Sequence, residues 1–166
     1  MRRTIIPNRG DLKRKAVNYK TGLSLKLDDE LRQKMDALVQ NSTAQFLEET
    51  VQSLKMLRDA LGRAAADPSS RHEVLEQIRE EAFQIKGMGG VFGYPLLTEF
   101  GKSLHDFLKE LTDLDELQQE IVSIHIDTLY VVVTHKIAGS GGPLEAQLRA
   151  SLKAAIDKAK PAAKAG

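Results

Sequence analysis

Up to Leu27 the chain sustains no helical period. Pro7, Gly10 and Gly22 punctuate it, and Leu23, Leu25 and Leu27 alternate with polar residues as in an extended strip. From Asp28 the apolar steps become three and four. Leu31, Met35, Leu38 and Val39 start a helical stripe, and Phe46, Leu47, Val51, Leu54, Leu57, Leu61 and Ala65 continue it to about Ala66. Asn41-Ser42-Thr43 reads as an interruption, because Ser42 and Gln45 have capping-box spacing. Asp67-Pro68-Ser69 ends the stripe, and Ser70 with Glu73 opens a helix over about 71–88 whose inner face is Val74, Leu75, Ile78, Ala82 and Ile85. Gly89, Gly90 and Gly93 break that helix. Pro95 starts the next, where its missing N–H costs nothing, with Leu97, Phe100, Leu104, Phe107 and Leu108 inward to about Leu111. Asp113 and Glu116 begin a further helix reaching Ile137. After the linker Gly139–Pro143, Leu144, Leu148, Leu152, Ala155 and Ile156 mark a last amphipathic helix and Ala/Lys tail.

Four substantial helices between about 42 and 137, joined by short turns, predict an all-α fold: an antiparallel up-down four-helix bundle with additional N- and C-terminal helices. The expected organisation is an arm over 1–27, a bundle over 28–138, and a linker, helix and tail over 139–166. The helix from Asp113 carries one apolar row at Leu114, Leu117, Ile121, Ile124 and Val131 and a second at Val122, Ile126, Leu129 and Val133. A helix apolar on two faces needs cover on both, from the bundle and from a terminal helix or a second subunit.

Composition narrows this picture. The chain is 42% hydrophobic but only 5% aromatic, without Trp, as suits a bundle of aliphatic side chains. It has no Cys, which removes disulfides and thiolate metal sites. No apolar leader is visible, and the longest apolar run, Leu129 to Val133, is far short of the ~20 residues that span a bilayer. A cytoplasmic protein without membrane insertion is expected. The net charge of +1 conceals an acidic middle between basic ends. Residues 1–26 carry +7, residues 149–166 carry +4, and residues 27–148 carry −10. The basic ends admit an anionic partner such as nucleic acid or a membrane surface, but their spacing matches no nucleic-acid motif and solvated tails are the expectation.

On a helical wheel Phe83 lies with Glu76, Arg79, Glu80, Lys86, Gly87 and Gly90, opposite the inner face. One exposed hydrophobe is ordinary. Gly87, however, sits one turn after Phe83 and before the helix end, where Gly costs about 1 kcal/mol relative to Ala and leaves room for another surface. If the chain reverses near residues 93–94, Phe83 lies beside His105, which shares the polar face of its own helix with Thr98, Gly101, Lys102 and Lys109. Phe83, Lys86, Gly87, Gly101, Lys102 and His105 then form one patch, flanked by cations and low in bulk.

The run from Phe83 to Tyr94 resembles the acceptor segment of histidine phosphotransfer (HPt) domains. Their motif is a His, two residues, Lys-Gly, and a second Gly six residues after the first. Here it reads Phe83, Gln84-Ile85, Lys86-Gly87, then Gly93, and the order of helices from 42 to 137 is similar too. The resemblance implies a two-component phosphorelay, with Lys86 assisting a phosphoryl group electrostatically and Gly87 admitting a receiver domain. The departure is Phe83, which stands where the family has its acceptor. A phenyl ring has no lone-pair nitrogen and forms no phosphoramidate. His105 corresponds to the neighbouring-helix polar residue that often hydrogen-bonds the acceptor.

The expectation is a non-catalytic, HPt-like protein that binds a response-regulator receiver domain or a histidine kinase through Phe83, Gln84, Lys86, Gly87, Gly90, Gly101, Lys102 and His105. No cofactor and no metal is called for. Two alternatives keep the chemistry: phosphotransfer through His105, since an imidazole is a competent nucleophile, or a parent protein with His at position 83. A third is a structural bundle that assembles into homo-oligomers. His72, His125 and His135 form no ligand cluster and read as structural or surface residues. The glycine run follows a helix rather than a strand, which argues against a nucleotide site.

Overall fold

The computed structural model describes residues 29–139 and 141–159, and the arm over 1–27 and the Ala/Lys tail lie outside them. The described residues form five α-helices and one 3₁₀ turn: α1 (Asp29–Ala66), the turn Pro68–Ser70, α2 (Arg71–Met88), α3 (Pro95–Leu108), α4 (Glu116–Thr134) and α5 (Pro143–Ala159).

The chain divides into two units, 1–40 and 41–166. In the first, the described residues are the opening turns of α1. All their side chains are exposed, including Leu31, Met35, Leu38 and Val39. Glu30 and Lys34 pair at 2.8 Å along the helix.

The second unit is an all-helical bundle in which α2 packs on α3, α3 on α4, and α5 on α4. One core joins Leu47, Leu54, Leu57 and Leu61 of α1 to Leu75, Ile78 and Ile85 of α2, Phe100 and Leu104 of α3, and Ile126 and Leu129 of α4. Each such side chain contributes roughly 1.5–3 kcal/mol by leaving water. The two-faced α4 is covered on its outer side by α5, whose Leu152 is buried and whose Leu148 and Ile156 pack against the core. Arg149 fixes α5 to α3 by a fork of hydrogen bonds to Glu99 at 2.7–2.9 Å.

Several boundaries differ from expectation. Asn41-Ser42-Thr43 interrupts nothing: α1 runs through it, with these side chains exposed or half-buried, so the N-terminal helix is an extension of α1. Ser70 makes no side-chain cap to α2; its hydroxyl donates to the Asp67 carbonyl, while Asp67 caps the 3₁₀ turn. The helix expected to reach Leu111 ends at Leu108, where Arg79 donates to the carbonyls of Leu108 and Leu111. The capping box of α4 uses Asp115 and Gln118, not Asp113 and Glu116. Gln118 N–H donates to Asp115 at 2.7 Å, and the Asp115 N–H donates back to Gln118 at 2.8 Å. This register buries Leu114 and lets Gln119 donate to its carbonyl. α4 stops at Thr134, short of Ile137.

His125 is wholly buried on α4. Its Nδ1 lies 2.8 Å from the Ile121 carbonyl, which can only accept, so Nδ1 carries the proton and Nε2 accepts from the Ser103 hydroxyl at 3.0 Å. Phe107 stacks on the ring at 6.3 Å between centroids. Burial holds this imidazole below its ordinary pKa. Folding therefore favours the neutral form. That stability is fully present above the unfolded value of about 6.5 and is lost as pH falls through 6.5 towards the folded pKa. The thermal midpoint should drop between pH 7 and pH 5 by more in the wild type than in His125→Gln, measured by circular dichroism; equal slopes would remove His125 as the cause.

Candidate functional site

The site is set by the hairpin between α2 and α3. Helix α2 runs to Met88 and is stopped by a turn in which the Tyr94 N–H returns to the Gly89 carbonyl at 2.7 Å. Gly93 sits at φ +82°, a left-handed conformation that side chains resist. A Cβ on Gly89 would lie 2.7 Å from both Leu97 Cβ and Thr98 N, so its absence lets α3 fold back tightly. Pro95 then opens α3.

This reversal places Phe83 beside His105, with ring centroids 5.9 Å apart and planes tilted by 45°. Phe83 is 55% exposed, so its phenyl ring is offered to solvent in spite of its neighbours. Lys86 Nζ lies 6.0 Å from the ring centroid, at the limit of a cation–π contact. Glu76, Arg79, Glu80, Phe83 and His105 line a shallow cleft. His105 is mostly covered; its Nδ1 is buried without a hydrogen-bond partner, 3.6 Å from the Asp106 carboxylate. Asp106 is held below the usual carboxylate range first by the hydrogen bond from Lys102, at 2.7 Å.

Gly87 is exposed, and a side chain there would meet nothing within 4 Å, so the surface beside Phe83 is flat. Gly90 is exposed, with its N–H bound to the Thr98 hydroxyl at 2.7 Å. Gln84 is exposed and donates to Glu80 at 2.9 Å. Lys102 is exposed but already paired with Asp106. Gly101 departs from the outward placement expected of it. It is buried, and a Cβ there would lie 2.8 Å from Lys86 N and 3.2 Å from Lys86 Cα. It sits underneath the patch and sets how closely α3 approaches the backbone of α2.

The structure separates the remaining histidines from this face. His72 is exposed in the first turn of α2, His125 is in the core, and His135 is the exposed C-cap of α4. Among the described residues no three His, Asp or Glu side chains converge as metal ligands. No described helix is long and apolar enough to cross a membrane. The sequence reading missed a second feature, a groove between α1 and α2 floored by a stack of Phe46 on Phe92 at 4.6 Å. By periodicity Phe46 belongs to the core stripe, and Phe92 lies in a turn with no period to reveal its direction.

What the face can do chemically is limited by these residues. It offers one exposed apolar ring, a cation, an imidazole and bare backbone, and neither a nucleophile-base pair nor a phosphate loop. No curated protein and no solved structure gives a significant match to the chain. The family model for the Hpt domain matches residues 42–160, the span from the second unit's part of α1 to the end of α5. That covers well over half of the chain and the whole of the bundle, so the chain belongs to the Hpt domain family and is a helical-bundle component of two-component phosphorelay signalling.

Proposed function

We propose that this protein is an Hpt-like module that docks a receiver domain or a histidine kinase without taking a phosphoryl group. The carrying observation is Phe83. In the spacing of the family motif it occupies the acceptor position, and it is 55% exposed, with His105 and Lys86 as neighbours. Carbon cannot replace the imidazole nitrogen as nucleophile, whereas an exposed phenyl ring next to an open glycine suits a contact. Lys86 and Gly87 keep the charge and the flatness on which the family's docking rests, with Gln84, Gly90, Lys102 and His105 around them. Binding without transfer would sequester a response regulator, restrain a kinase or scaffold a relay.

The test is affinity for receiver domains and kinases from the same genome, by calorimetry. Phe83→Asp should weaken the partner that binds by at least tenfold, as expected when a central aromatic contact is replaced by a charge. Circular dichroism should be unchanged, because the side chain is exposed. Absence of any receiver or kinase partner, or a partner indifferent to Phe83→Asp, would overturn the reading.

His105 supports a second reading, phosphotransfer through its own imidazole. Its ring is beside position 83, and its Nδ1 makes no hydrogen bond, with the Asp106 carboxylate 3.6 Å away. Acid-labile label on the wild-type chain from a phosphorylated receiver, lost in His105→Ala, would establish this reading in place of the first.

A further inference from the structure

The groove between α1 and α2 is a feature that the Phe83 face does not use. Phe46, Phe92 and Met88 floor it, the first two stacked and half-buried and Met88 37% exposed. Glu49 and Glu81 stand on its two walls, and none of its lining residues is Lys, Arg or His. The Glu81 carboxyl is held above its ordinary range, first by desolvation, and the one neighbour that opposes this is the Ser53 hydroxyl. A half-buried carboxylate without a cation is unfavourable until one arrives.

The groove's α1 wall is formed by positions from Ser42 to Ser53, three turns or about 16 Å of helix, at the i, i+3, i+4 spacing that leaves a furrow between ridges. Such a furrow between two helices accepts a third helix, with apolar side chains entering at i, i+3 or i+4. Gln84 lines this groove while sitting next to Phe83, so the groove adjoins the docking face.

We propose that this groove docks a cationic amphipathic helix of the partner protein, its Leu, Ile or Met side chains on the Phe46–Phe92–Met88 floor and its Lys or Arg side chains on Glu49 and Glu81. The inference rests on the docking reading above and names the partner's chemistry: apolar anchors flanked by positive charge select among receiver domains or kinases that would otherwise share the Phe83 contact. The acidic walls repel a partner helix of like charge, so selectivity comes from exclusion as well as attraction.

The test uses the full chain and two fluorescent 14-residue helical peptides, one of Leu and Lys, the other with Glu in place of Lys. The Leu/Lys peptide should bind and shift the Met88 methyl and Phe92 ring resonances, and the Leu/Glu peptide should not. Glu49→Gln with Glu81→Gln should weaken the Leu/Lys peptide about tenfold and flatten its salt dependence. Glu116→Gln with Glu120→Gln, which removes the same charge from exposed sites on α4, should leave it within about twofold. Equal loss in both double variants means non-specific charge attraction and overturns the proposal. So does a shift of Met88 on concentrating the protein alone, which assigns the groove to a second copy. Phe83→Asp separates the two readings: it should weaken the natural partner at least tenfold, while the peptide, whose groove Phe83 does not line, should not lose affinity. Loss of partner binding in Phe83→Asp without any loss in Glu49→Gln/Glu81→Gln would sink the groove and leave the docking face standing.

Discussion

Phe83→His is expected to turn a chain that takes no label into one that takes acid-labile label from a phosphorylated receiver domain. The imidazole nitrogen would attack phosphorus as the P–O bond to the receiver's aspartate breaks and the carboxylate leaves, forming a phosphoramidate. The wild-type phenyl ring cannot take that first step. The supporting groups are in place. Lys86, with Nζ 6.0 Å from the ring centroid, can neutralise charge on the phosphoryl oxygens. Gly87 leaves the approach open. His105 stands beside position 83, with ring centroids 5.9 Å apart. The exposed position means the substitution costs the fold little. Adding Lys86→Ala to Phe83→His should lower the labelling rate about tenfold or more, because it removes an electrostatic contribution of the size a single preorganised charge makes. Failure of Phe83→His to take label from any receiver that binds the wild type would show that more than the acceptor has been lost.

How far the sequence foretells this depends on whether a feature is local. The bounds of α2, the start of α3 at Pro95 and the pairing of Phe83 with His105 follow from periodicity and the length of the hairpin, both written in consecutive residues. Capping was less legible, since a capping pattern is only an offer. Ser42/Gln45 and Ser70/Glu73 have the right spacing, yet α1 continues through one and Ser70 turns its hydroxyl to Asp67 in the other. Between Asp113/Glu116 and Asp115/Gln118 the choice falls to the register that buries Leu114, a tertiary consequence. Gly101 was hidden for a related reason. A wheel sorts residues by polarity, and glycine has no side chain to sort by, so Gly101 groups with the lysines beside it. Its direction is fixed by how closely another helix approaches. The α1/α2 groove was likewise invisible, because its floor joins Phe46 to Phe92 across a long separation in sequence.

That difference between two glycines gives the other large expectation. Gly101→Val should destabilise the fold by about 3 kcal/mol and disable the face above it, whereas Gly87→Ala should stabilise the fold by up to about 1 kcal/mol and weaken partner binding. At Gly101 the added atoms meet Lys86 N at 2.8 Å and Ile85 Cγ2 at 3.1 Å. The first of these is backbone and cannot rotate away, so α2 and α3 must part. Phe83 and His105 belong to those two helices, and their 5.9 Å ring contact should open with them. At Gly87 nothing lies within 4 Å, so a methyl group finds space and the helix gains Ala's propensity over Gly. The methyl then stands where a partner's backbone would approach, one turn from Phe83. Urea unfolding separates the stability terms, and calorimetry with the bound receiver or kinase separates the binding terms. Opposite signs on stability with a common loss of binding is the expected pattern. If Gly87→Ala left affinity intact, the flat surface beside Phe83 would not be part of the contact, and docking would have to rest on Phe83 and its charged neighbours alone.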